Sequence, residues 1–225
     1  MEADLKQRLG ADTAAFVAQV TEQASLSFRD FRDSGTISVN GSATFMERLP
    51  GRPELVVVSY AGPFGREISA RPRIIALDDA VSTGERGQRR VGPYGKLLRR
   101  RPDITTLALV RSPFLGAWSQ AFRALPLGSS GTVREIPVQL DERKSEQDFI
   151  LQLLELTPRM PAVLNARCGA TVWSSQGLRE AAKLILSLEE CARVALLSES
   201  LRGSRGDAGA SAPEYAVSRA APTTT

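Results

Sequence analysis

A short run in the first third of the chain is apolar at each of its central positions, and it restricts the possible folds more than any other segment. Within Glu54–Tyr60, four consecutive apolar residues, LVVV, lie between Glu54 and Ser59. A strand with one solvated face alternates apolar and polar residues, whereas a strand covered on both faces is apolar throughout. The run therefore predicts a central strand of a sheet.

Two long segments, one near each end of the chain, have the period of an amphipathic helix. The first is capped at Asp12 or Thr13 and ends near Gly35, with apolar residues at Phe16, Val17, Val20, Ala24 and Phe28. The second runs from Leu178 to about Leu201, with apolar residues at positions 178, 181, 182, 185, 188, 192, 195 and 196. Shorter helices are predicted at Pro93–Arg100, Phe114–Phe122 and Ser145–Leu156.

Short runs typical of strands separate these helices. They are Thr36–Val39, Ala43–Met46, Leu55–Tyr60, Arg73–Leu77, Ile104–Val110, Thr132–Val138, Ala162–Cys168 and Ala170–Trp173. Strands in one sheet, with helices between them and at both ends, predict an α/β or α+β layered domain. We expect a single domain over residues 1–201 and a disordered tail over residues 202–225, where Gly, Ala, Ser, Thr and Pro dominate.

The chain contains no histidine and only two cysteines, Cys168 and Cys191. Histidine is the commonest metal ligand, and two cysteines cannot complete a tetrahedral zinc site. The sequence therefore predicts neither a bound metal nor a cofactor. Two cysteines are too few for a disulfide framework, which favours a reduced, cytoplasmic location.

The charge pattern and the hydropathy exclude two classes of partner. The net charge is +4, and basic residues cluster at Arg89-Arg90 and around Arg99–Arg101. Aromatic residues make up 6% and do not alternate with these clusters as in a groove that stacks bases, so we expect no nucleic acid. No apolar run approaches the roughly 20 residues of a membrane span, so we expect no membrane.

Four groups of residues, in this order along the chain, resemble motifs of the class II aldolase/adducin family. Gly35–Val39 is similar to G-N-I-S-x, and Leu55–Val58 with Gly62 is similar to D-L-V-x-V-D-x-D-G. Arg101–Ile104 followed by Ser112–Phe114 is similar to R-P-D-V-x-A-V-V-H-T-H-S-P-Y. The ending N-H-G-V-x-V-W-G…L-E-x-x-A is similar to Ala162–Asn165, Gly169, Val172-Trp173 and Leu188–Ala192.

This resemblance implies a three-layer αβα fold with a central, mostly antiparallel sheet flanked by helices. It also implies a homo-oligomer, a tetramer with each site between neighbouring subunits. The family's three metal-binding histidines correspond to Leu109, Arg111 and Cys168, and its acid/base glutamate to Arg90, or to Glu85 if the loop contains a gap. A metal-dependent retro-aldol reaction is therefore not expected.

The resemblance places Arg111, Arg90 and Arg167 around the family's metal position. Guanidinium groups bind planar oxyanions, so we expect a small anionic substrate there. Thr36 stands where the family has its phosphate-contacting asparagine, and we expect Thr36 and Ser38 to contact the substrate.

Three residues are candidates for catalysis. Arg111 would stabilise an enolate as a fixed positive charge. Tyr94 would act as a general acid/base, and Cys168 as a thiolate nucleophile beside arginines. The alternatives are structural: Cys168 as a small buried apolar residue, and Tyr94 as ordinary packing. Arg111 would then form an ion pair with one of four acids, Asp78, Asp79, Glu85 or Asp103.

Two functions remain open after this reasoning. One is a metal-independent lyase, dehydratase, isomerase or cyclase that acts on a small anionic carbonyl compound. The arginine-rich composition favours a role in bacterial specialised metabolism for such an enzyme. The other is a non-catalytic, adducin-like binding or scaffolding domain. An enzyme predicts a pocket where the arginines lack internal partners, whereas a scaffold predicts paired arginines and a pocket filled by side chains such as Leu109.

Overall fold

The computed structural model describes residues 10–60, 71–77, 92–127, 133–139, 146–165 and 169–206. Its helices are α1 (Ala11–Asp33), α2 (Gly92–Arg100), α3 (Pro113–Gln120), α4 (Glu146–Leu156) and α5 (Leu178–Gly206). Its strands are β1 (Ser42–Arg48), β2 (Glu54–Ser59), β3 (Pro72–Ala76), β4 (Thr106–Arg111), β5 (Leu125–Pro126), β6 (Glu135–Ile136), β7 (Val138–Gln139), β8 (Ala162–Asn165) and β9 (Gly169–Ser174).

A seven-stranded sheet in the order β3-β2-β1-β4-β9-β8-β7 forms the middle layer. Its strand pairs are antiparallel except β7 with β8, which is parallel. The apolar run in β2 lies between β1 and β3, and Leu55–Val58 is at most 1% exposed. The predicted central strand is therefore confirmed, with both of its faces covered.

Helices cover both faces of this sheet. Val56 and Val58 point into a core shared with α1, α3 and α5, whereas Leu55 and Val57 point into a second core shared with α2 and α4. Two layers of helices around one sheet are the only way to bury a strand that is apolar on both faces. The expected three-layer αβα fold with a mostly antiparallel sheet is confirmed.

The structure differs from the predicted elements in two places before the last helix. Thr36–Val39 is not a strand but part of the turn after α1: Gly35 has a φ of 75° and the Ile37 N–H donates to the Phe31 carbonyl at 3.0 Å. This bond caps the C-terminus of α1 and buries Ile37 as the chain reverses. The described part of the predicted strand Thr132–Val138, residues 133–138, contributes to β6 and β7 instead of one strand, because Pro137 between them has no N–H to donate.

The last helix also differs from its predicted end. It continues to Gly206, into the segment predicted as tail, because extending a helix that packing already holds costs little. Within the described ranges, none of the helices is both long enough and apolar enough to span a membrane.

Candidate functional site

Arg111 is the last residue of β4, and its side chain is exposed. Among the described residues, its guanidinium forms no ion pair and no side-chain hydrogen bond. Asp103, one of its four predicted partners, binds Arg101 at the other end of β4. The other three candidate partners, at positions 78, 79 and 85, lie outside the described residues. The end of β4 therefore presents a cation to solvent.

The turn that contains Thr36 and Ser38 lies against the end of β4. A Cβ atom on Gly41 would lie 3.0 Å from the Ser38 nitrogen and 3.1 Å from the Arg111 carbonyl oxygen, so glycine lets the backbones approach more closely than most side chains would. The Ser38 side chain is exposed beside Arg111. Thr36 is 3% exposed, and its hydroxyl lies 3.0 Å from the Ser34 hydroxyl. The structure thus brings Ser38 to Arg111 and turns the Thr36 hydroxyl towards the helix end.

The start of β9 approaches Arg111 from the other side. Gly169 has a φ of 106°, and a Cβ atom there would lie 2.1 Å from the Val110 carbonyl oxygen. Only glycine fits at this position, because the Cβ atom of any other residue would clash with the Val110 carbonyl oxygen. The Gly169 N–H donates to the Ser119 hydroxyl at 3.1 Å. Gly169, the first residue of β9, is therefore fixed directly beside the backbone of Arg111.

The Glu189 carboxylate of α5 holds the junction between β4 and α3. It accepts hydrogen bonds from the Ser112 hydroxyl at 2.6 Å and from the backbone N–H groups of Phe114 and Leu115, both at 2.9 Å. An acceptor at a helix N-terminus satisfies donors that the helix itself leaves unpaired. Glu189 belongs to a segment of the sequence resemblance, but its role as a cap appears only when α5 packs on α3.

Three polar side chains meet on the face of the sheet that carries Leu109 and Arg111. The Tyr94 hydroxyl lies 3.2 Å from the Thr171 hydroxyl. The Asn165 amide nitrogen donates to the Thr171 hydroxyl at 2.6 Å and to the Tyr94 hydroxyl at 3.5 Å. Thr171 of β9 pairs with Leu109 of β4. Leu109 is two residues, or about 7 Å along the strand, before Arg111.

The Tyr94, Thr171 and Asn165 cluster is almost closed to solvent. Tyr94 is 2% exposed and Thr171 is fully buried. The Asn165 side-chain oxygen is also buried, and it has no hydrogen-bond partner in the described part of the chain. Sequence reasoning selected Tyr94 but missed Asn165 and Thr171, because only the order β4-β9-β8 places them under its hydroxyl.

Of the three residues that the resemblance places at the metal ligands, the two that the structure describes do not fit a metal. Leu109 has no ligating atom and packs against the second core, and Arg111 is a cation. Metal ligands are anionic or neutral donors such as thiolate, imidazole and carboxylate. No group of three or more Cys, Asp or Glu side chains in the described ranges is arranged to hold a metal ion. We therefore derive no chemistry through a metal.

The remaining predicted site residues, Arg90, Arg167 and Cys168, lie outside the described residues. Arg111, Ser38 and Tyr94 share one region, around the end of β4. The opposite end of the sheet holds a cavity of about 480 Å³, whose lining includes Arg101 and Trp173. There the Arg101 guanidinium holds the pKa of Asp103 below its usual range.

Comparisons with known proteins identify a family and a fold. The family described as Class II Aldolase and Adducin N-terminal domain matches residues 23–196. No curated protein matches the sequence.

Solved structures with the same fold cover most of the chain. YgbL from Klebsiella pneumoniae is 21% identical with a TM-score of 0.59, over 79% of this chain and 88% of that chain. L-fuculose 1-phosphate aldolase from Glaciozyma antarctica is 16% identical with a TM-score of 0.61, over 84% and 76% of the two chains. The L-fuculose-1-phosphate aldolase of Thermus thermophilus is 19% identical with a TM-score of 0.58, over 87% and 100%. At these identities the likeness extends to the fold alone.

Proposed function

Because the chain belongs to the class II aldolase and adducin N-terminal domain family, we propose that it uses the family's fold for metal-independent catalysis. The reaction class is that of a lyase, dehydratase, isomerase or cyclase, and the substrate is a small anionic carbonyl compound. The observation that carries this proposal is Arg111, an exposed guanidinium without an ion pair among the described residues, at the position of a lost metal ligand.

The proposed chemistry begins with the substrate's negative charge at Arg111. The guanidinium presents parallel N–H donors to a carboxylate or an enolate oxygen. When a base removes the proton next to the carbonyl carbon, the electron pair moves onto the carbonyl oxygen, where Arg111 stabilises it. Return of the proton to another carbon gives an isomer, and departure of a β-substituent gives an elimination.

Tyr94 is the described residue that we propose for the proton transfer. Its hydroxyl contacts Thr171 and Asn165, so a proton that leaves the phenol meets groups that can stabilise the phenolate. Arg90 and Arg167 are proposed to add positive charge to the substrate pocket, and Cys168 to serve as a nucleophile.

A thermal-shift experiment on Arg111→Met tests the anion site. Wild-type protein treated with chelator is heated with acetate, pyruvate, succinate or phosphate at constant ionic strength. We expect at least one of these anions to raise the Tm of the wild type and not that of Arg111→Met. The exposed Arg100 on α2 gives the matched control Arg100→Met, which removes the same charge far from the site.

Two outcomes contradict the proposal. If no anion raises the Tm of the wild type, or if Arg111→Met and Arg100→Met respond alike, the anion site fails. If chelator alone lowers the Tm, the protein holds a structural metal and the metal-independent proposal fails.

A second function, an adducin-like binding or scaffolding domain, is favoured by two observations. Leu109 packs into the second core and fills part of the place that a metal takes in the family. Helix α5 exposes three apolar side chains in a stripe, Val194, Leu197 and Leu201, at 51%, 56% and 70% exposure. Sedimentation equilibrium of wild type and Leu197→Glu would measure the proposed tetramer and its dependence on this stripe.

A further inference from the structure

The side-chain oxygen of Asn165 is a buried hydrogen-bond acceptor that no described residue satisfies. Native proteins pair nearly all such groups, because an acceptor that loses water without gaining a donor destabilises the fold. An exception close to a proposed binding site calls for a donor from outside the described residues, which a bound ligand would supply.

The neighbours of Asn165 fix the direction in which this oxygen points. Its amide nitrogen donates to the Thr171 hydroxyl at 2.6 Å and lies 3.5 Å from the Tyr94 hydroxyl. The carbonyl half of the same planar amide therefore points away from both hydroxyls. A rotated amide would accept from the Thr171 hydroxyl and leave its nitrogen unpaired instead, and a ligand hydroxyl, which both donates and accepts, would pair with either atom.

Asn165 and Arg111 lie in one row across the sheet. Asn165 of β8 pairs with Gly169 of β9. Ala170 of β9 pairs with Val110 of β4, so one residue further along the register Gly169 lies opposite Arg111. Two strand spacings of about 4.8 Å separate the ends of this row, so the two Cα atoms are about 10 Å apart. The residue between them is glycine, and no side chain occupies the middle of the row.

We infer that Asn165 is a specificity-determining residue whose side-chain oxygen accepts a hydrogen bond from a hydroxyl group of the ligand that Arg111 binds. The substrate class is then a small hydroxy acid, with its carboxylate on Arg111 and a hydroxyl on Asn165. This inference rests on the anion site under the proposed function. A hydroxyl fits better than an ammonium group, because the row already carries the positive charge of Arg111.

Isothermal titration calorimetry with three matched four-carbon acids tests the inference. Succinate has no substituent on C2, malate has a hydroxyl there, and aspartate has an ammonium group. We expect one enantiomer of malate to bind wild-type protein about tenfold more tightly than succinate, because a buried acceptor gains its donor. In Asn165→Leu this preference falls to about one while the affinity for succinate stays unchanged.

Two variants separate this role from a structural one. Thr171→Val removes the hydroxyl that orients the Asn165 amide but keeps the Asn165 oxygen, so its preference for malate should fall less than in Asn165→Leu. Arg111→Met should weaken binding of malate and succinate by the same factor. Circular dichroism checks that each variant is folded, and Asn165→Ala replaces Asn165→Leu if the larger side chain prevents folding.

The outcomes distinguish this inference from the function on which it rests. Equal binding of malate and succinate to wild-type protein overturns the hydroxyl site and leaves the anion site intact. Tighter binding of aspartate than of malate overturns the hydroxyl in favour of an ammonium group. Absence of binding by all three acids overturns the anion site together with the inference.

Discussion

The two ends of β4 each carry an arginine, and they use it in opposite ways. Before the strand, Arg101 donates from Nε and Nη2 to the two carboxylate oxygens of Asp103, at 2.8 and 2.6 Å, and from Nη1 to the Thr157 hydroxyl. At the end of the strand, Arg111 is exposed and forms no ion pair within the described residues. One arginine belongs to the scaffold, and the other is available to a ligand.

The surroundings of the two arginines show the same contrast. At the Arg101 end, the buried Glu47 carboxylate accepts a hydrogen bond from Thr106, the half-buried Arg48 donates to the carbonyl oxygen of Ile104 at 3.4 Å, and the buried Glu54 Oε2 lies 2.6 Å from Arg52 Nε in an ion pair. At the Arg111 end, the Asn165 oxygen lacks a partner in the described chain. Buried polar groups with hydrogen-bond partners stabilise the folded state, whereas a buried group without a partner is more often found at a functional site. Substitutions at the two ends should therefore affect different measurements.

The largest expected effect is at the junction that positions Arg111. Glu189→Ala removes the acceptor for one hydroxyl and two backbone N–H groups, and we expect it to lower the free energy of unfolding by about 3 to 4 kcal/mol. Urea denaturation monitored by circular dichroism measures the change. Glu190→Ala is the control, because that exposed side chain pairs only with Arg193. Equal losses in the two variants would contradict the capping role.

The next effect is a pH dependence at the Arg101 end. Burial raises the pKa of Glu47 from 4.5 to about 7, and the hydrogen bond from Thr106 offsets part of this rise. The folded protein therefore keeps a proton that the unfolded chain releases near pH 4.5. The contribution of Glu47 to stability is therefore fully present below that pH and is lost as the pH rises to about 7 and slightly above, by up to about 3 kcal/mol.

Glu47→Gln should remove this pH dependence, because the amide stays neutral and still accepts from Thr106. We expect the variant to be more stable than the wild type at pH 8 and to match it at pH 4, in urea denaturation at both pH values. Glu155→Gln, at an exposed position on α4, controls for the loss of one charge. A wild-type protein that is as stable at pH 8 as at pH 5 would show that Glu47 ionises without penalty.

The two arginines themselves give the third prediction. Arg101→Met removes the donor to the Thr157 hydroxyl and the ion-pair partner of Asp103, and we expect it to lower the free energy of unfolding by about 1 kcal/mol. Arg111→Met should change it by less than about 0.5 kcal/mol, since surface substitutions without partners have small effects. Parallel urea titrations of the two variants measure the difference. A larger loss at Arg111 would mean that it has a structural partner, and the contrast between the two ends would fail.

Much of the fold could be predicted from the sequence because the signals are local. The apolar run in β2 and the helical periods of α1 and α5 record which faces are buried, and burial depends on a few adjacent residues. The turn after α1 could not be predicted in this way. Its β-type residues, Thr36–Val39, are held by the helix-capping geometry at Gly35 instead of by a neighbouring strand.

The candidate site was predictable only in part, and for a different reason. Arg111 and Tyr94 follow from residue type and from motif position. The contact between Tyr94 and Thr171 joins residues 77 positions apart, and that between Asn165 and Tyr94 joins residues 71 apart. Such contacts depend on which strands are neighbours in the sheet, and hydrophobic periodicity carries no information about strand order.

A loss of stability no larger than that at Arg101 separates the two interpretations of Tyr94. Tyr94→Phe keeps the ring against Phe149 and loses contacts to the Thr171 and Asn165 side chains at 3.2 and 3.5 Å, so we expect a loss of about 0.5 to 1 kcal/mol. If Tyr94 transfers the proton, the same variant should slow deuterium exchange at C3 of bound pyruvate by about a hundredfold, measured by proton NMR. Thr171→Val disturbs the same cluster but keeps the phenol, and it should slow exchange far less. Equal exchange rates in wild type and Tyr94→Phe would make Tyr94 a packing residue and leave Arg111 as the chemical difference between the two ends of β4.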